Sequence, residues 1–324
     1  MLKSWRAALR GTQSTAVLLI AALAVHPSTA RAQECGRCLG GHRYIPSSIL
    51  DNPFAADHFT NSTGGGVAFD LQLPVRDIDG NVVDSVGGDI GFLLLDFEYQ
   101  KSLFKRVALR AELGAVARVG TSTEAVIASG AEALFTWALG VTVPIWRTEN
   151  FLVSGVADYR YDNEYIVDPF GFARLIVEEG YTEESKDVLL RDDGGNHWSL
   201  GARAAYTVSP WLGLNAVVEA GEIDSETLGN RSLTELGLQA GFDLNKLWEF
   251  PLGVALGYRE QIGPGREGDA SGSYRAFNLG LFFTGNSNFS IGADIIWSKV
   301  AVREATVPDL DLAQFRLVTR LDFK

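Results

Sequence analysis

Three groups of residues in this chain of 324 are of types that could do chemistry. The first is His197 Trp198 Ser199, a base and a hydroxyl two residues apart, which on a strand share one face. Nucleophilic catalysis needs a third group to orient the histidine, and Leu200 follows Ser199 where a polar partner would help. A histidine satisfied among polar neighbours is the competing reading. The second group is Cys35, Cys38 and His42. In an oxidising compartment Cys35 and Cys38 are expected to form a local disulfide. Haem attachment would need His where Leu39 stands, and zinc would need a fourth ligand, so no cofactor and no metal are expected. The third group is a set of charges recurring at even spacing: Arg106, Arg110, Glu112, Glu132, Asp158, Arg160, Arg203, Glu219, Glu235, Arg259, Arg316 and Arg320.

Those charges alternate with apolar residues, which fixes the elements that must carry them. In 106–118, Val107, Leu109, Ala111, Leu113 and Ala115 share one face, while Arg106, Arg110, Glu112 and Arg118 share the other. In 315–323, Phe315, Leu317, Thr319, Leu321 and Phe323 oppose Arg316, Arg320 and Asp322. Such alternation recurs in twelve segments of about ten residues, the length a tilted membrane strand requires. Short connections (101–105, 144–150, 209–211, 245–249, 285–288) alternate with long ones (74–89, 120–128, 162–196, 221–231, 261–274, 299–312). Aromatics flank the short turns, Tyr99, Phe104, Trp146, Phe151, Tyr206, Trp211, Trp248, Phe283 and Phe323 among them. Amphipathic rings favour the membrane interface. Tyr159, Tyr161, Trp198, Tyr258 and Trp297 are expected in the opposite belt.

The N-terminus has the pattern of a signal peptide over 1–32: Lys3, Arg6 and Arg10 precede an apolar run, and Ala30 Arg31 Ala32 offers a cleavage site. Removing it takes away four basic and no acidic residues, moving the net charge from −12 to −16. Nucleic-acid binding asks for a basic footprint and is not expected. No later apolar run reaches the roughly 20 residues of a membrane helix, so a membrane form must be a closed barrel. The closing strand, apolar on one face and ending on Phe323 before Lys324, resembles the C-terminal strand of Gram-negative outer-membrane β-barrels. That resemblance implies recognition of the final aromatic by the barrel-assembly machinery, contact with outer-membrane lipid and lipopolysaccharide, and both mature termini in the periplasm. The pair His197 and Ser199 resembles the catalytic pair of outer-membrane phospholipase and of lipid A deacylase, without the Asn those enzymes carry near the serine.

The fold expected is all-β: an antiparallel up-and-down transmembrane barrel of about twelve strands over 64–324, with a periplasmic tail over 33–63 that either stays in the periplasm or plugs the barrel. The function expected is a porin-like channel for small polar solutes, not an enzyme. Inward charges of both signs would line its lumen and tune selectivity; alternatively they neutralise one another and fill it. A non-conducting surface barrel and a lipid-acting hydrolase are the second and third readings. Within the long loop 162–196, helical spacing over 169–179 predicts a constriction element.

Overall fold

A computed structural model of the chain describes residues 36–76, 82–104, 106–120, 131–167, 190–225, 229–263, 273–300 and 310–323. The expected signal peptide, Cys35, the helical spacing of 169–179 and Lys324 lie outside them.

Two short strands, β1 (Cys38–Leu39) and β2 (His42–Arg43), pair as a hairpin near the N-terminus. Twelve longer strands follow: β3 (His58–Arg76), β4 (Val82–Leu103), β5 (Val107–Gly120), β6 (Ala131–Arg147), β7 (Phe151–Val167), β8 (Leu190–Ser209), β9 (Leu212–Ser225), β10 (Gly229–Asp243), β11 (Leu252–Ile262), β12 (Ser273–Phe283), β13 (Phe289–Val300) and β14 (Leu310–Asp322). A five-residue helix, α1 (Leu244–Trp248), joins β10 to β11. Each long strand pairs antiparallel with its sequence neighbours, and β14 returns to β3 with Arg316 opposite Gly64 and Asp322 opposite His58. The result is a closed twelve-stranded up-and-down barrel. Closure satisfies every strand edge, which an open sheet cannot do.

The polarity is inverted relative to a soluble core. Outward residues Leu93, Leu113 and Leu238 are 69%, 62% and 63% exposed, whereas Asp294, Arg203 and Gln239 are buried inside. Sequence parity produces this directly, since alternate side chains of one strand point to opposite faces. The outer aromatics gather where expected. Tyr99 meets Phe323 at 6.5 Å, Trp146 meets Phe151 at 5.5 Å and Trp211 stacks on Phe242 at 6.3 Å near the short turns. Toward the other end Trp137 meets Tyr159 at 5.4 Å and Tyr258 meets Phe277 at 4.8 Å. No helix of the described residues is long and apolar enough to cross a membrane.

Four expectations need correction. Barrel strand β3 begins at His58 rather than at 64, and residues 36–57 lie inside the barrel, the second of the two placements expected for the tail. Strands run longer than the alternation indicated, with β4 reaching 22 residues. The expected long loop 221–231 is mostly strand, because β9 and β10 remain paired out to Ser225 and Gly229. Finally, Arg106 has the inward parity of β5 but sits in the turn before it, its backbone N–H bonded to Leu103 O at 3.2 Å and its residue exposed. It does not line the lumen.

Candidate functional site

The N-terminal segment 36–57 threads the lumen and is fastened to the wall on all sides. It opens with the β1–β2 hairpin, whose two-residue turn places Gly40 and Gly41 at φ +54° and +80°. Both central residues of such a turn need positive φ, which glycine adopts without strain. Cys38 is disulfide-bonded. Thr207 on β8 donates to Leu39 O at 2.8 Å and shares a hydrogen bond with the Tyr44 hydroxyl at 3.0 Å. On the opposite wall Arg37 donates to Asp322 at 2.9 Å and to Ser290 at 2.8 Å, while Arg43 donates to Thr284 O at 3.0 Å. Further along, Ser48 donates to Asp294 through both backbone N–H (3.0 Å) and hydroxyl (2.5 Å). Ser154 donates to Pro53 O at 2.6 Å, and Gln100 donates to the carbonyls of Phe54 and Ala56, each at 2.8 Å. Asp57 then accepts from Lys101 and from the Ser102 N–H as the chain enters β3.

Apolar residues of the same segment fill the space between these bonds. Leu39, Tyr44 and Phe54 pack with Leu152 and Ala205. Ile45 packs with Ala255, Phe282 and Val318, and Ile49 and Leu50 with Val217, Ala276 and Ile296. The wall makes room with glycine: a Cβ on Gly253 would stand 2.6 Å from Ile45 Cδ1.

The inward charges pair with one another. Arg203 meets Asp158 at 2.7 Å and Glu219 at 2.8 Å, and Arg110 meets Asp158 at 2.8 Å. Arg259 meets Glu235 at 2.6 Å, Arg316 meets Asp96 at 3.1 Å, Arg320 meets Asp322 at 3.0 Å and Arg160 meets Glu112 at 3.5 Å. Asp51 of the threaded segment joins this network, bonded to Arg110 and 3.0 Å from Arg203. Burial opposes its charge, but the two guanidinium groups hold the Asp51 carboxyl well below the usual carboxylate range. The side chain of Glu132 lies outside the described residues.

Parity along the strands identified the wall residues, but it could not find their partners in the segment. Arg37, Arg43, Asp51 and Asp57 interleaved with Ile45, Ile49, Leu50 and Phe54 are the signal that was present: a solvated tail has little use for so many large apolar residues.

The pair His197 and Ser199 shares the lumen face, as expected, without assembling a catalytic dyad. Ser199 donates to Glu219 at 3.1 Å, and among the described residues His197 Nε2 is buried with no hydrogen-bond partner. A small cavity beside them is lined by Glu219, Leu233 and Glu235. Nor do the described residues bring three or more His, Cys, Asp or Glu together as a metal site.

His42 supplies a pH dependence. Burial lowers its pKa from 6.5 to about 4, so the docked imidazole is neutral and its Nδ1 lies 3.2 Å from Pro210 O. Released from the wall it would titrate at its ordinary value and take up the proton first. Docking is therefore strongest above pH 6.5 and weakens as pH falls toward about 4. Protease cleavage within 36–57, measured on the full chain across that interval, should rise on acidification. His42→Gln should flatten the profile; an unchanged profile in that variant rejects the assignment.

Closed strands, an apolar exterior and a charged interior decide the architecture. The fold is that of an outer-membrane β-barrel. No family model matches the chain, and no curated protein matches it. Solved structures do. The translocator domain of the autotransporter NalP from Neisseria meningitidis is 11% identical, with 98% of this chain and 97% of that chain covered at a TM-score of 0.49. An outer membrane channel from Pseudomonas putida F1 is 12% identical, with 86% and 100% covered at 0.49. The KdgM porin, solved with disordered oligogalacturonate, is 8% identical, with 82% and 99% covered at 0.41. Likeness at this level concerns architecture alone.

Proposed function

We propose that this barrel lies in the Gram-negative outer membrane, its short turns and both chain ends toward the periplasm, and acts as a porin-like channel for small polar solutes that its own N-terminal segment holds closed. The observation that carries this reading is the source of the filling. A barrel meant only to be solid can pack its lumen with side chains from the wall. Here the wall is glycine-lined where Ile45 and Leu50 enter, and a separate segment supplies the bulk. A plug attached by hydrogen bonds and ion pairs is displaceable in a way that wall side chains are not. Charges of both signs then face the aqueous path, as rings in selective pores do.

The second reading, a non-conducting barrel with a structural or surface role, draws on the same contacts, because the segment is tied to β4, β7, β8, β13 and β14 at once. Planar-bilayer recordings on the full chain separate the two. Gly237→Leu places a side chain where Leu50 now sits, so it should dislodge the segment and raise the frequency of current steps on the order of tenfold over the parent, a shift of about 1.4 kcal/mol. Silence from both proteins would sink the channel and leave the solid barrel standing.

A further inference from the structure

The end of the lumen beside Asp322 holds more hydrogen-bond donors than acceptors. Three guanidinium groups meet there: Arg37 and Arg43 from the threaded segment and Arg320 from β14. Arg37 donates to Asp322, Ser290 and Tyr44 O, and Arg43 donates to Thr284 O, Phe289 O and Ser290. Arg320 uses its Nε on the other oxygen of Asp322. Its Nη2 is buried without a hydrogen-bond partner among the described residues, on a side chain only 4% exposed. Across the ladder Arg320 stands between Ser290 on β13 and Thr60 on β3. Both neighbours are small, which leaves room around the guanidinium, and both carry a hydroxyl. Ser290 Oγ already accepts from Arg37 and from Arg43, so its own proton is left to give. Thr60 Oγ1 is buried with no partner among the described residues.

We propose that this cluster binds a small monovalent inorganic anion such as chloride, which Arg320, Thr60 and Ser290 hold at the barrel seam and which locks the segment's Arg37 and Arg43 in place. The proposal concerns the docking of the segment and stands whether or not the barrel conducts. Charge favours an anion over a water. Against the three guanidinium groups stand two carboxylates: Asp322 between Arg37 and Arg320, and Asp243, which faces Arg43. Asp243 is further occupied by the Thr284 hydroxyl at 3.0 Å and the Asn245 N–H at 3.2 Å. Glu98, on the strand beyond Thr60, is engaged by His58. One positive charge is left over where burial makes like charges costly. Burial together with the neighbouring Arg320 presses the Arg37 pKa down to about 9. An acceptor-only ion answers the charge and the spare donors at once, whereas a water would bring two more protons to a site already rich in them. Size follows from the enclosure. Arg37, Arg320 and Asp322 are almost wholly buried, which suits a single-atom ion and leaves no place for a bulky oxyanion.

Release of the segment reports the anion. On the full chain reconstituted in liposomes, protease cleavage within 36–57 is timed in sodium chloride and in sodium gluconate of equal ionic strength, so that screening is the same. With chloride at about ten times its dissociation constant, cleavage should be on the order of tenfold slower than in gluconate. Arg320→Gln, which loses the central charge, should be cleaved at one rate in both salts. Thr60→Val keeps every charge and the shape of the side chain, and it serves where Arg320→Gln fails to assemble. It should need on the order of tenfold more chloride for the same protection. Bromide locates the ion: crystals of the parent protein grown in sodium bromide should show an anomalous-scattering peak beside Arg320 Nη2. Equal cleavage of the parent in chloride and gluconate overturns the proposal, as does a bromide map with no peak at Arg320, and either result gives the spare donors to water. A chloride effect that persists unchanged in Thr60→Val also overturns it, because the ion then acts elsewhere.

Discussion

Asp51→Asn is expected to raise the open probability of the barrel roughly 30-fold. The substitution keeps the shape of the side chain and removes the charge that ties the segment to Arg110 and Arg203. Breaking a buried ion pair costs about 3–5 kcal/mol, while exposed pairs contribute less than about 1 kcal/mol. Asp51 lies between these limits: its side chain is 37% exposed, and Asp158 remains to serve both arginines. About 2 kcal/mol is therefore the right order, and that shift in the docked-to-released equilibrium corresponds to roughly 30-fold. Single-channel recording in planar bilayers gives the number directly. Asp158→Asn serves as the control of opposite sign, because both arginines would then depend more heavily on Asp51 and hold the segment harder. If both variants behave like the parent, the ion pairs do not hold the segment in place.

How much of this was legible in the sequence depends on whether a residue's role was set by its own strand or by distant ones. Along β5 and β14 the alternation is uninterrupted, so Leu113 and Phe315 were placed outside, and Arg110 and Arg320 inside, from parity alone. The start of β3 gave no such signal. Residues Asn61 to Gly66 read Asn-Ser-Thr-Gly-Gly-Gly, which has neither hydrophobic alternation nor strand propensity. They are strand because β4 and β14 pair with them on either side. Arg106 shows the converse limit: its parity was right, but the turn starts before parity can act. The threaded segment was the hardest to read, since most of it follows no period at all. Its contacts reach Asp322, 285 positions away, and Ser290, 253 away, and no local pattern encodes partners at that distance. Opposite charges on the wall were visible as candidates for mutual neutralisation. That one of their acids, Asp51, would come from outside the barrel wall was not.

The largest loss of stability is expected from Asp322→Ala on the closing strand. Asp322 accepts from Arg37 Nε at 2.9 Å on one oxygen and from Arg320 Nε at 3.0 Å on the other, with side-chain exposures of 5%, 1% and 4% respectively. Burial and the neighbouring Arg320 push the Arg37 guanidinium down to about 9, and Asp322 is the charge that opposes them. Arg320 is already short of partners, its Nη2 buried without a hydrogen bond. Taking the carboxylate away leaves two like charges facing each other in a dry site, a loss of about 3–5 kcal/mol. The loss falls at the seam of the barrel, because Asp322 stands opposite His58 where β14 closes on β3. Urea unfolding of the reconstituted barrel, followed by tryptophan fluorescence, should show the midpoint fall. Arg37→Ala added to Asp322→Ala should then recover part of the loss, since it removes one of the two stranded charges. A double variant no more stable than Asp322→Ala alone would mean that Asp322 stabilises the barrel through Arg320, and that Arg37 is held by Ser290 and Tyr44 O without it.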